Sequence, residues 1–323
     1  MELPMISSPY GISNEDYHNG KEFKNFLSSS QLKDFLVSPK YFRYKELNPE
    51  EEGVKLHFNR GSVYHDMLAC LANDGNIEGF RDYWAEFKEP INEKTGKAYG
   101  PQTKAYVEAY EDARIQASGR DLCGAEDIAL AYAMIGELID KNSHLSKDIR
   151  FLIKVGKGEI SHFCKYQGQG FKYRTDLKTS GKIVDWKSCA GKTAHPGEVH
   201  RQIIKFNYHI SGAFYQFFDH LTTGEWRSFY WVFQETEPPF DFIIESADNW
   251  CFEVSRNEDG EKIGIPKIGA MIFLKILEEY LNCRETGIYH GYSSLIQPGF
   301  RGQRIHSGKP PGWYNNILIN FFN

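Results

Sequence analysis

The chain of 323 residues is poor in several features, and each shortage narrows what it does. None of its six cysteines (Cys70, Cys123, Cys164, Cys189, Cys251 and Cys283) forms a C-x-x-C pair. That argues against a zinc ribbon or a tight iron–sulfur motif and for reduced, buried thiols. The nearest metal-like grouping, Cys189 with His195 and His200, lacks a fourth ligand. No apolar run approaches the ~20 residues that span a bilayer, and the opening MELPMISSPYG has no basic-then-apolar signal pattern. A cytoplasmic location is therefore the expectation. Positive charge is not in excess: 38 Lys and Arg stand against 43 Asp and Glu, a net charge of −5. Such a balance does not suit a protein that coats nucleic acid over its whole surface, although a local basic patch remains compatible with it. Repeats and low-complexity tracts are also missing. Aromatic residues, by contrast, make up 15% of the chain, which argues against disorder and for a sizeable core.

The N-terminal part reads as helical. In LSSSQLKDFLVSPKYFRYKEL a serine cap around Ser28–Ser30 opens a helix that should end near Ser38, because Pro39 disfavours helical geometry before it. A second helix is expected from about Gly61 in RGSVYHDMLACLA, with Gly61 and His65 on one face. Residues 74–100 look irregular. Two helices follow, the first with Pro101 in its opening turn, the second with a core stripe of Ile128, Ala131, Tyr132, Ile135, Leu138 and Ile139. Alternation then takes over: residues 158–188 read as three strands joined by turns at 168–170 and 179–182. One helix is expected over RQIIKFNYHISGAFYQFFDHL, with Ile204, Tyr208, Ser211 and Tyr215 along a face. Strands RSFYWVFQET and FDFIIES and a long closing helix complete the pattern. The class is α/β (α+β), a mixed sheet flanked by helices.

Chemistry turns on Asp/Glu-x-Lys, a cheap spacing that occurs at Glu22/Lys24, Glu86/Lys88, Asp176/Lys178 and Asp185/Lys187. Only Asp185 sits inside an apolar strand, after Ile183 and Val184 and beside Trp186. Strand alternation points Asp185 and Lys187 to one face. Across the 179–182 turn Asp176 would lie beside Asp185, and two facing carboxylates repel unless a hard divalent cation or a cation side chain joins them. From pattern alone a metal site and a plain Asp–Lys salt bridge are level. By itself His65 reads as a packing histidine, and Glu159 as an exposed strand end.

The order GSVYH, GEISHF, YRTD, IVDWKS and YHISGAFY resembles the PD-(D/E)XK nucleases, specifically the RecE-type (exonuclease VIII) branch of phage and prophage recombination systems. The similarity extends to SSSQLKDFLVSPKYFRY, FYWVFQETEPPF and the closing IGAMIFLKILEEYLNCRETGIYHGY with PPGWYNN, so it runs from about residue 28 to 315, with 74–150 matching poorly. It implies a restriction-endonuclease-like core in a single nuclease domain, residues 1–323. Residues 1–73 would be a helical part contributing His65, 74–150 a helical insertion, and 151–323 the core. By the same resemblance His65, Asp176, Asp185 and the Trp186 carbonyl would hold Mg²⁺, with Mn²⁺ as a substitute, and Lys187 would assist the attacking water. Glu159 matches an acidic position, and Arg174 an arginine that meets a DNA phosphate. Tyr208, Ser211 and Tyr215 would line the DNA, although Ser211 stands where the family carries Gln; Gln202 and Gln216 are the nearby substitutes. The implied activity is a 5′→3′ exonuclease on linear double-stranded DNA, acting as a homo-oligomeric ring (a tetramer) and handing 3′ overhangs to a single-strand annealing recombinase in the bacterial cytoplasm. The rivals are an endonuclease on the same fold and a DNA-end-binding protein without catalysis.

Overall fold

A computed structural model describes residues 6–7, 17, 20–49, 59–189 and 193–291. After strand β1 (Ile6–Ser7), a four-residue helix α1 (Ser29–Leu32) is opened by a Ser28/Gln31 capping box and tightens into a 3₁₀ turn, Lys33–Leu36. The expected stop near Ser38 is observed, but Pro39 also starts something new. It is the first residue of α2 (Pro39–Leu47), where its fixed φ and missing N–H suit the N-terminus, and Ser38 caps it. Helix α3 (Asn59–Asp74) carries His65.

The stretch expected to be irregular contains a 3₁₀ turn (Ile77–Asp82) and β2 (Trp84–Phe87). Next come α4 (Lys104–Ala117), β3 (Asp121–Gly124), α5 (Ala125–Leu138) and α6 (His144–Val155). Pro101 lies before α4, whose cap is Thr103. Strands β2 and β3 form a small parallel pair over a local core of Phe87, Tyr106, Ala117 and Leu122. Helices α5 and α6, in contrast, join the main core: Ile128, Ile135, Leu138, Ile149 and Leu152 pack with Val63 and Met67 of α3 and with Val184 and Trp186 of the sheet. The segment 74–150 thus divides into a peripheral half and a half that covers the sheet, and position 150 falls inside α6.

The rest of the main sheet follows: β4 (Lys157–Tyr166), β5 (Gln169–Lys178) and β6 (Lys182–Ser188), then α7 (Pro196–Lys205) and α8 (Tyr208–Thr223), then β7 (Ser228–Gln234) and β8 (Phe242–Ser246). A hairpin of β9 (Phe252–Arg256) and β10 (Lys262–Pro266) precedes α9 (Ile268–Thr286). The six-stranded sheet runs β1-β4-β5-β6-β7-β8. Among the described strands of this sheet only β6 and β7 pair in parallel, which requires the α7–α8 crossover between them. The β4–β5 hairpin turns on Gln167 and Gly168, both at positive φ (47° and 75°), one residue earlier than expected. The single helix expected over 201–221 is two, broken at Asn207, whose left-handed φ of 54° re-aims the chain. Aromatic residues of α8 and α9 (Phe214, Phe218, Phe273, Tyr280) pack on Phe171, Phe229 and Trp231 of the opposite sheet face. Among the described residues no helix is long and apolar enough to cross a membrane.

Two contacts seat α3 on the sheet. Asn73 brackets Gly158 of β4, its Oδ1 accepting from the Gly158 amide at 2.9 Å and its Nδ2 donating to the Gly158 carbonyl at 3.2 Å. A Cβ on Gly158 would lie 2.6 Å from the Cα of Ala69, so only glycine allows this approach. Further along the helix, the buried Tyr64 hydroxyl donates to Gln234 Oε1 at 2.6 Å.

Candidate active site

The seating of α3 brings His65 over the sheet where β4, β5 and β6 stop pairing regularly. Strands β5 and β6 share only the pairs Leu177–Val184 and Lys178–Ile183. Counting on from these places Asp176 across from Asp185, where the strands have parted. In place of a ladder bond, Asp176 Oδ2 accepts from the Trp186 amide at 2.7 Å. On the other side the β4–β5 register sets Gly158 against Leu177 and Ile160 against Thr175, so Glu159 stands across from Asp176. Glu159 has a φ of 49°, a left-handed conformation rare in a strand, and it interrupts the ladder at that point. Its side chain is thereby turned to the same centre.

His65 Nδ1 lies 3.5 Å from Asp176 Oδ2 and 3.7 Å from Glu159 Oε1. Among the described residues, His65, Glu159 and Asp176 form a set whose ligand atoms all fall within 4.8 Å of one another. Asp185, expected in that set, lies beside it, within hydrogen-bonding reach of Asp176, and is ion-paired to Lys187 at 2.7 Å, the two sharing a face as strand alternation requires. Trp186 is buried, and the group it turns toward Asp176 is its amide. Arg174, expected to meet phosphate, is held within the site: its Nε donates to Ser161 Oγ at 2.8 Å, and its Nη1 lies 3.8 Å from Glu159 Oε2. Its guanidinium lies 4.3 Å from the ring centre of Tyr17. In that position it steers Glu159 by charge. Tyr208 forms a shelf under Lys187, whose Nζ is 5.2 Å from the ring centre. Tyr215 and Ser211 are half-buried on the same helix, the Tyr215 ring 5.6 Å from that of Tyr173. Gln216 and Gln202 are both buried, and Gln216 bonds the backbone of Arg227 and Phe252.

Electrostatics separate the two carboxylates. Burial raises the Asp185 carboxyl; Lys187 draws it down and Asp176 pushes it up again, leaving it well above the usual carboxylate range. Burial acts on Asp176 in the same sense, but His65, Lys187 and the Trp186 amide outweigh it and hold Asp176 low. Of the two acids Asp185 is therefore the one that takes up a proton first as pH falls, while Asp176 stays ionised. Burial disfavours the charged forms of His65 and Lys187, yet the carboxylates overcome it and raise both, His65 to about 10. Lys187 is therefore a cation at neutral pH.

Sequence reasoning missed three contributors. Tyr17, buried against Arg174, lies in a stretch without periodic pattern. Asp66 accepts from the Trp84 indole N–H at 2.6 Å and so ties the peripheral β2 to the helix that carries His65. Lys33 feels the charges of both Lys187 and Asp185.

No protein-family model matches the chain, and neither does any curated protein. Among solved structures it is similar to the crystal structure of a "putative exonuclease" from Eubacterium rectale, at 15% identity and a TM-score of 0.49, over 86% of this chain and 88% of that one.

Proposed function

We propose that the chain is a divalent-cation-dependent nuclease of the PD-(D/E)XK class. The observation that carries this is the convergence of His65, from a distant helix, on Glu159 and Asp176, which the β4–β5 register sets opposite one another, beside the Asp185–Lys187 pair. Strand pairing alone gives a helix histidine no reason to sit at the point where two sheet ladders open. The donor set, one imidazole and two carboxylates with a third carboxyl alongside, suits Mg²⁺ or Mn²⁺. A cation held there would supply positive charge to a phosphate oxygen and to a water.

The chain's own groups account for the rest. Lys187, kept protonated and anchored between Asp185 and the Tyr208 ring, orients the attacking water and meets the charge that grows on the phosphate. Asp176 is fixed by the Trp186 amide, and Arg174 holds Glu159 in place. In the reaction the water oxygen forms a bond to phosphorus in line with the P–O bond that breaks, and the leaving oxygen takes up a proton.

Within that class the reading supported by the order of the motifs is the RecE-type exonuclease. It would digest linear duplex DNA 5′→3′, leave 3′ overhangs for an annealing recombinase and work as a ring, a tetramer in this proposal. Tyr208 and Tyr215, on the helix beside the site, are then the aromatic contacts to DNA, and the short Ser211 between them makes a lesser one.

The test incubates the protein with end-labelled linear and with closed circular duplex DNA, with and without Mg²⁺, beside Lys187→Ala. Progressive loss of the 5′ label from linear DNA only, abolished by EDTA and by the substitution, is expected. Cutting of closed circles would favour an endonuclease, and metal-independent binding without cleavage would favour an end-binding protein.

A further inference from the structure

We propose that Lys33 is a second phosphate-binding residue of this site, placed at the α7–α8 elbow that also carries the shelf of Lys187; the inference rests on the nuclease reading above. Lys33 begins the 3₁₀ turn after α1, and its Nζ donates to the carbonyl of Phe206 at 3.3 Å. Phe206 is the C-cap of α7, at the elbow whose next helix begins with Tyr208, the shelf of Lys187. The Phe206 and Tyr208 rings lie 5.5 Å apart, so Lys33 and Lys187 flank one elbow.

Among the described residues Lys33 has no carboxylate within salt-bridge distance, and the neighbouring Asp34 is engaged by Lys45 at 3.9 Å. One N–H of its ammonium meets Phe206, which leaves two donors for a ligand. After burial, the charges that act on it are those of Lys187, which repels it, and of Asp185 and Asp34, which attract it. Burial and the Lys187 charge hold its pKa down to about 8, so it remains largely charged at pH 7 while repelled by another cation. A half-buried cation kept beside a like charge, with no described carboxylate in salt-bridge contact, is poorly neutralised, and an arriving phosphate relieves it.

The alternative role, neutralising the carbonyl end of α7, needs only the hydrogen bond to Phe206.

The two roles separate in the salt dependence of binding. Affinity for a blunt duplex is measured in Ca²⁺ over a range of KCl for wild type, Lys33→Gln, Lys33→Met and Lys33→Arg, with melting temperatures to establish folding. Loss of one phosphate contact reduces the slope of log K against log salt by about 0.9. The proposal expects that reduction in the folded Gln or Met variant, with KM for duplex ends raised more than kcat is lowered, and a wild-type slope in Lys33→Arg. An unchanged slope in the uncharged variants, or an equal loss in Lys33→Arg, overturns it while leaving the nuclease reading intact. Failure of the wild-type protein to bind DNA overturns that reading and this inference together.

Discussion

Gly158→Ala is a one-carbon change that tests whether the site depends on how α3 sits on β4. The added Cβ would lie 2.6 Å from Ala69 Cα and 2.9 Å from Ala69 Cβ, against an ordinary carbon–carbon contact of about 3.6 Å. The first clash is with backbone, so no rotamer change relieves it, and the helix must retreat by about 1 Å. Retreat also stretches the two hydrogen bonds from Asn73 to Gly158. Four residues before Ala69, His65 now sits 3.5 Å from Asp176 and 3.7 Å from Glu159. A displacement of that size at reacting groups lowers rates by about 10²-fold, while overpacking of this kind destabilises by about 1–3 kcal/mol. The fold should therefore survive and the site should not. Calorimetric titration with Mn²⁺ and cleavage of end-labelled duplex, each on protein whose unfolding transition has been recorded, form the assay. Weakened Mn²⁺ binding with cleavage down by about two orders of magnitude is expected. A folded Gly158→Ala protein with wild-type Mn²⁺ affinity and rate refutes the dependence on α3.

Two further predictions concern stability. Asp219→Asn should destabilise by about 3–5 kcal/mol in urea unfolding, because the fully buried Asp219 is the shared partner of Lys178 and of Arg227 (2.5 Å), and both would be left without their counter-charge; a loss below about 1 kcal/mol would refute that role. His162 is buried, stacked 4.5 Å from Tyr173, and pulled down to about 3 by burial and by the charge of Lys178. With its folded pKa below the unfolded value of about 6.5, the unfolded chain takes up the proton first, so stability falls as pH drops below about 6.5. The contribution is about 1.4 kcal/mol per pH unit, and His162→Phe should remove it; identical pH dependence from 6.5 to 4.5 in variant and wild type would contradict the assignment.

What the sequence revealed, and what it hid, follows from the range of the forces involved. Alternation along β6 is a local rule, so the shared face of Asp185 and Lys187 was legible, and the 2.7 Å ion pair agrees with it. His65 was visible only through the order of motifs, since its neighbours in the site are 94 and 111 residues further on, at Glu159 and Asp176. The part played by Glu159 depends on a backbone at φ 49°, which no residue-type pattern announces for a glutamate. At Asn207 the apolar periodicity continues through Ile203, Ile210 and Phe214 while the backbone breaks, so a single helix was the natural expectation. The β9–β10 hairpin does carry a local signal, alternating FEVSR and KIGIP about the NEDG turn. Lys33 and Tyr17 gave none, because their relevance comes entirely from tertiary neighbours.

In the proposed site His65, Glu159 and Asp176 hold a divalent cation beside the Asp185–Lys187 pair, and anomalous diffraction from crystals grown with Mn²⁺ would locate it. A manganese peak in contact with His65 Nδ1 and with carboxylate oxygens of Asp176 and Glu159 or Asp185, lost in Asp176→Asn, is the predicted result. A peak elsewhere on the chain, or none at a Mn²⁺ concentration that supports DNA cleavage, would contradict it.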